Sequence, residues 1–178
     1  MSVTAAPSAN VDSAAGTYLT FQVANVGPMF GQCGHFLGYA PRRIPYAIDR
    51  YRNETLRLYG VMDRRLAKAA YLAGDYSIAD IATWPWVHVR WLHRIDLDAF
   101  PRVRRWYEAI AARPAVQRGI AVLADQMKIG NPDAKAREAL FGRTQLRQGK
   151  KSAGTARTAK VRKTAASRRR ARGTRAAS

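Results

Sequence analysis

Hydrophobic residues in this chain recur at steps of three and four, and almost nowhere at steps of two. Between Pro45 and about Ala70, Ile48, Tyr51, Thr55, Leu58, Met62, Leu66 and Ala69 fall on one helical stripe. Arg50, Arg57, Arg64 and Lys68, with Asp49, Asn53 and Glu54 among them, take the opposite face, as in an amphipathic helix. Pro45 suits the first turn, where a missing N–H costs nothing.

A second helix is marked by its cap. The Ser77 hydroxyl can accept a bond from a first-turn N–H, and Asp80, three residues on, can reach back to the Ser77 amide in the short form of a capping box. Tyr76 and Ile81 stand where a hydrophobic staple closes. Ile78, Ala79, Ile81, Ala82, Trp84, Trp86 and Val87 leave little polar face, which predicts a core helix running to about His93 and kinked at Pro85. Upstream, Tyr18, Leu19, Phe21, Val23, Val26, Met29 and Phe30 predict a helix from about Thr17, bent at Gly27-Pro28 and fading through Gly31, Gly34 and Gly38. Downstream, Pro101 opens a helix that ends near Ala112, Pro114 opens another, and a short last one follows the Gly130-Asn131-Pro132-Asp133 turn. The expected fold class is therefore all-α, a bundle of five to seven helices.

Composition divides the 178 residues into three parts. Residues 1–16 are small and polar and read as a disordered lead, residues 17–147 as the helical domain, and residues 148–178 as a disordered Ala/Lys/Arg tail. The tail holds 11 of the 31 basic side chains and no acid. Residues 1–147 keep 20 basic against 12 acidic side chains, a net +8 within the total of +19. Such a tail attracts nucleic acid without reading sequence, since it lacks aromatic interleaving, and it has no apolar face for a membrane. A helical scaffold binding nucleic acid through residues 148–178 is thus one functional reading.

Cys33 is the single cysteine, so an internal disulfide and a cysteine-cluster metal site are both excluded, which suits a cytoplasmic setting. No secretory signal or membrane-length apolar run is legible. His35, two residues from Cys33, would favour a thiolate if protonated, making Cys33 a candidate redox thiol against the plainer reading of an inert one. His88 and His93 are five apart, which does not set both on one face as metal ligands. Trp84, Trp86, Trp91 and Trp106 read as core. Neither metal nor catalytic residues are expected.

Several separated motifs, in order, resemble one family. Gly27-Pro28-Met29-Phe30-Gly31-Gln32, Ile44-Pro45-Tyr46-Ala47-Ile48-Asp49-Arg50-Tyr51 and Leu58-Tyr59 are similar to glutathione S-transferases. So are Tyr71-Leu72-Ala73-Gly74-Asp75-Tyr76-Ser77-Ile78-Ala79-Asp80-Ile81, Trp84-Pro85-Trp86 and Ala112-Arg113-Pro114-Ala115-Val116. The nearest group is the bacterial nu class, the glutathione-dependent disulfide-bond oxidoreductases. The resemblance spans about Tyr18 to Thr144 and covers only the helical C-terminal domain. It implies glutathione as ligand, dimerisation through the first two long helices, and Arg50 as a contact to glutathione across the dimer. In that family a thioredoxin-like domain of roughly 75 residues comes first. Residues 1–16 are too few for it, so the chain is expected to be inactive alone or to work beside a separate thioredoxin-fold partner.

Overall fold

The computed structural model describes residues 9–122, 124, 130 and 132–142. Helix α1 (Ala9–Phe21), a π-helical turn (Gln22–Val26), α2 (Gly27–Gly34) and a second π turn (His35–Tyr39) run on as one helix over residues 9–39. Then come α3 (Pro45–Leu66), α4 (Ile78–His88), α5 (Arg90–His93), a 3₁₀ turn (Leu97–Ala99), α6 (Pro101–Ala111) and α7 (Pro114–Ala121). Among the described residues the only bridge of β type joins Tyr71 to Gly74. The described residues 132–142 belong to a second unit. Its helix α8 (Ala134–Phe141) starts on Asp133, whose Oδ1 accepts the Ala136 N–H at 2.7 Å.

Two expectations about the first helix are corrected. It begins at Ala9, inside the stretch read as a disordered lead, because Val11, Ala14 and Ala15 are adequate helix formers once attached to a growing helix. Nor does it fade at the glycines. The widened turn at Gln22–Val26, closed by Gly27 N–H to the Gln22 carbonyl, lets Pro28 sit in the second position of α2 without breaking the axis. Gly34 is there for contact: a Cβ on it would lie 2.9 Å from Leu92 Cδ2. Gly27, likewise, faces the Trp86 ring, which a Cβ would meet at 3.4 Å. The small residues let α2 lie directly against the side chains of α4 and α5.

The core forms where α3 buries Thr55, Leu58, Tyr59, Met62 and Leu66. Phe30 of α2 stacks on Tyr59 with ring centroids 4.9 Å apart, and Val103, Trp106 and Ile110 of α6 close the same cluster. Ends of elements are tied across long sequence separations. Asp63 Oδ1 accepts the N–H groups of Arg102 (2.9 Å) and Val103 (3.2 Å), capping α6 from α3. Arg105 Nη2 donates to the Leu66 and Ala69 carbonyls at 2.8 and 3.0 Å, satisfying the C-terminal end of α3.

The cap on α4 is present and does more than a cap. Asp80 is fully buried. Its Oδ2 accepts the Ser77 N–H at 3.0 Å, while Ser77 Oγ accepts the Ala79 N–H at 3.3 Å. Oδ1 accepts the Leu72 N–H at 2.9 Å and Trp106 Nε1–H at 2.7 Å. One carboxylate therefore joins the turn after α3, the start of α4 and the middle of α6. The helix is less enclosed than its sequence implies. Ile78 and Ile81 are more than half exposed, and Tyr76 meets the Tyr71 ring edge-on and the Arg113 guanidinium at 3.8 Å. It also stops early, at His88. Val89 leaves helical geometry (φ −91°, ψ 23°), and α5 ends on Arg94 in the left-handed region (φ 56°).

Removing the Asp80 carboxylate leaves buried donors on Leu72 and Trp106 without partners. Asp80→Ala should cost about 3–5 kcal/mol in chemical denaturation. Asp80→Asn, which keeps one oxygen for those two donors but sets an amide against the Ser77 N–H, should cost about 1–3 kcal/mol. Equal midpoints for Asp80→Asn and the parent chain would show that the carboxylate charge and its second oxygen are dispensable.

Candidate functional site

Arg50 lies in the second turn of α3, which Pro45 starts. It is exposed and shares a helix face with the strongly exposed Tyr46 four residues earlier. Its nearest helical acid is already taken. Glu54 holds Arg57 with two bonds of 2.7 and 2.9 Å, and this pairing lowers the Glu54 pKa. Among the described residues Arg50 makes no ion pair, so a two-pronged donor is left free for an external carboxylate.

Cys33 stands on the inner side of α2 and is buried. Burial pushes its thiol pKa up, only partly offset by the neighbouring Thr55 hydroxyl and the Arg52 charge. That is opposite to the shift a reactive thiolate needs. His35 meets the Phe36 ring edge-on at 5.1 Å. α2 turns Cys33 inward, where a charge is costly, so its surroundings favour the neutral thiol.

In the same core Tyr59 Oη and His93 Nδ1 are buried with no hydrogen-bond partner among the described residues. Burial raises the Tyr59 pKa. His93, edge-on to Phe30 at 5.2 Å, is held down to about 4 by burial, against the opposing effect of the Phe30 carbonyl. His88 goes elsewhere. Its Nδ1 is 3.0 Å from Tyr107 Oη, and its ring and that of Tyr107 both stack on Trp84, at 4.7 and 5.3 Å. Trp84 Nε1–H donates to the Tyr107 carbonyl at 3.1 Å, and Arg90 lies over the Tyr107 ring at 4.6 Å. The two histidines thus serve different clusters, and among the described residues no three His, Cys, Asp or Glu side chains gather to hold a metal. Trp84 and Trp106 are core as expected, while Trp91 is 55% exposed. The Asp63 cap and the His88–Tyr107 pair have no local sign in the sequence, because their members lie 19 to 40 residues apart.

This helical body, with a buried Ser/Asp cap on its central helix, has a fold like that of the glutathione S-transferase C-terminal domain. Residues 45–109 match the family of the glutathione S-transferase C-terminal domain. Over 111 residues it is 50% identical to the disulfide-bond oxidoreductase YfcG of Escherichia coli, covering 62% of this chain and 51% of the relative. The disulfide-bond oxidoreductase YghU of the same organism is 42% identical over 97 residues, covering 50% and 34%. Among solved structures, a glutathione transferase homologue from Lodderomyces elongisporus with two GSH per subunit superposes with a TM-score of 0.62 at 37% identity, covering 66% of this chain and 56% of the other. The transferase URE2P6 of Phanerochaete chrysosporium, in complex with oxidized glutathione, gives 0.63 at 31%, covering 70% and 59%. The chain spans about half the length of the curated relatives it matches. The basic tail lies outside the described residues, and no helix among those described is long and apolar enough to cross a membrane.

Two measurements check the electrostatics. A thiol reagent should label Cys33 in the folded chain at least about a hundred times more slowly than in denaturant; comparable rates would mean that Cys33 is open. His93 stays neutral in the folded chain down to about pH 4, whereas the unfolded chain takes up a proton near the ordinary value of 6.5. The unfolded state therefore binds more protons in that window, and stability falls as pH drops through it, by on the order of 3 kcal/mol. The slope of unfolding free energy between pH 6.5 and 4 should flatten in His93→Gln; an unchanged slope would assign it to other groups.

Proposed function

We propose that this helical domain serves glutathione-dependent chemistry, as part of a transferase or disulfide oxidoreductase. It would act with a thioredoxin-like half, as a homodimer or beside a separate thioredoxin-fold partner, in the cytoplasm. The observation that carries the reading is the 50% identity to the disulfide-bond oxidoreductase YfcG. The guanidinium of Arg50 supports it further, since glutathione has two carboxylates and Arg50 is exposed and makes no ion pair among the described residues. Cys33 has no part in the chemistry. The Ser77–Asp80 cap holds the fold and touches no substrate. Exposed Val23, Ile44 and Tyr46 on the first helix and at the start of α3 are surface that a second copy would cover.

The described residues contain no thioredoxin-like sheet to bind glutathione and activate its thiol. The purified 178-residue chain should therefore turn over glutathione and a small disulfide such as 2-hydroxyethyl disulfide at or near the uncatalysed rate. Fusing the first half of E. coli YfcG ahead of it should restore turnover, and Arg50→Ala in that fusion should lower kcat/KM about ten-fold, the loss of one charge-assisted contact. Turnover by the chain alone at the rate of its full-length relatives, or a fusion indifferent to Arg50→Ala, would overturn the respective part.

A further inference from the structure

Residues 40–44 join the first helix to α3, and a cavity of about 170 Å³ lies beside this loop. Phe36, Gly38 and Ile48 contribute to its walls together with Arg42, Arg43 and Arg94. The lining is more polar than apolar, although no residue in it apart from the arginines has a polar side chain. Guanidinium groups and main chain therefore supply that polarity, and no acid is among the lining residues. Arg42, Arg43 and Arg94 also make no ion pair elsewhere among the described residues. Three like charges around one small cavity repel each other until an anion joins them.

The backbone holds these side chains in place. One wall is the second π turn, closed by the Ala40 N–H on the His35 carbonyl at 2.8 Å, and its Phe36 ring stacks on Tyr51 at 5.4 Å. Such turns are frequent at functional sites. Pro41 and Pro45 bracket the loop with fixed φ angles, so Arg42 and Arg43 have little chain freedom to lose on binding. Arg94 ends α5 in the left-handed region (φ 56°), where glycine or asparagine is usual. A side chain with a Cβ costs about 1 kcal/mol there, yet an arginine is kept, and it lines the cavity. The start of α3 adjoins the same space. Ile44 offers no side-chain cap and the first turn holds no acid, so the positive end of this long helix is not offset.

We propose that the cavity formed by the second π turn, residues 40–44 and Arg94 binds a phosphate dianion, either free phosphate or the phosphoryl group of a small phosphomonoester. Guanidinium forks match phosphate oxygens in pairs, and a dianion answers three cations better than a carboxylate with its single charge. The volume is below the roughly 300–1,000 Å³ of sites for drug-sized ligands, which suits one phosphoryl group and little else. Arg50 is not among the walls, and the site does not depend on the glutathione reading.

The full chain is titrated by calorimetry with inorganic phosphate, glycerol 3-phosphate and acetate, at about pH 8, where a phosphomonoester is a dianion, and in about 0.1 M sodium chloride. At least one of the two phosphates should bind with a Kd below about 1 mM, and acetate at least about ten-fold more weakly. Binding of glycerol 3-phosphate assigns the site to a phosphoryl group, and binding of inorganic phosphate alone assigns it to the free anion; both outcomes uphold the proposal. Arg42→Gln combined with Arg43→Gln, and Arg94→Gln alone, should each weaken binding by at least about ten-fold. Lys68→Gln combined with Arg118→Gln removes as many exposed charges as the loop pair, but outside the cavity, and should change binding by less than about two-fold. The proposal is overturned if neither phosphate binds, if acetate binds as tightly, if the loop pair keeps the parent affinity, or if the control pair loses as much, which would assign the binding to net charge. Arg42 and Arg43 are exposed in a loop, so that pair decides if Arg94→Gln does not fold.

Discussion

A buried carboxylate has to be satisfied by donors, and the body of this domain is arranged around one. Asp80 sits fully out of water, and its two oxygens receive the Ser77 N–H, the Leu72 N–H and the Trp106 indole N–H. Each is a charge-assisted bond in a low-dielectric interior, where losing any partner exposes the full desolvation cost. The chain after α3, the first turn of α4 and the inner face of α6 must all arrive together for the site to close. The tie is directional, so it specifies one packing of three helices where apolar burial alone would tolerate several.

Packing density follows from the same demand for close approach. α2 meets α4 and α5 through glycines, where a Cβ on Gly34 would clash with Leu92 and one on Gly27 would touch Trp86. Two π turns let the first helix keep its direction past Pro28 and on to Tyr39. Reciprocal ties hold the far end, with Asp63 of α3 capping α6 and Arg105 of α6 capping α3. The outcome is a closely tied helical body with Arg50 exposed near the start of α3. Chemistry in the interior is suppressed: Cys33, Tyr59 and His93 are all shifted by burial toward their neutral forms.

That division explains how this helical body resembles glutathione S-transferases through its fold. The family resemblance is concentrated in residues that build the fold: the cap, the prolines that start helices, and the close-packed glycines. Arg50 stands apart from these: it is exposed and makes no ion pair among the described residues, the nearby Glu54 being bonded to Arg57.

By itself the sequence determined where four of the helices begin. Pro45, Pro101 and Pro114 open α3, α6 and α7, and Ser77 with Asp80 opens α4, because the sterics of proline and the reach of a capping side chain act within four residues. The stripe of Thr55, Leu58, Met62 and Leu66 was legible for the same reason, a period set by the helix itself. Tertiary structure decided the rest. That Asp80 also holds Trp106, that Asp63 caps a helix 39 residues away, and that Ile78 and Ile81 of an apolar helix stay exposed depend on which helices become neighbours. The inward turn of Cys33 and the end of α5 on a left-handed Arg94 belong with these, since both follow from how the helices pack. Backbone geometry is a local property, while partners, burial and the resulting pKa shifts exist only once distant segments share the same interior.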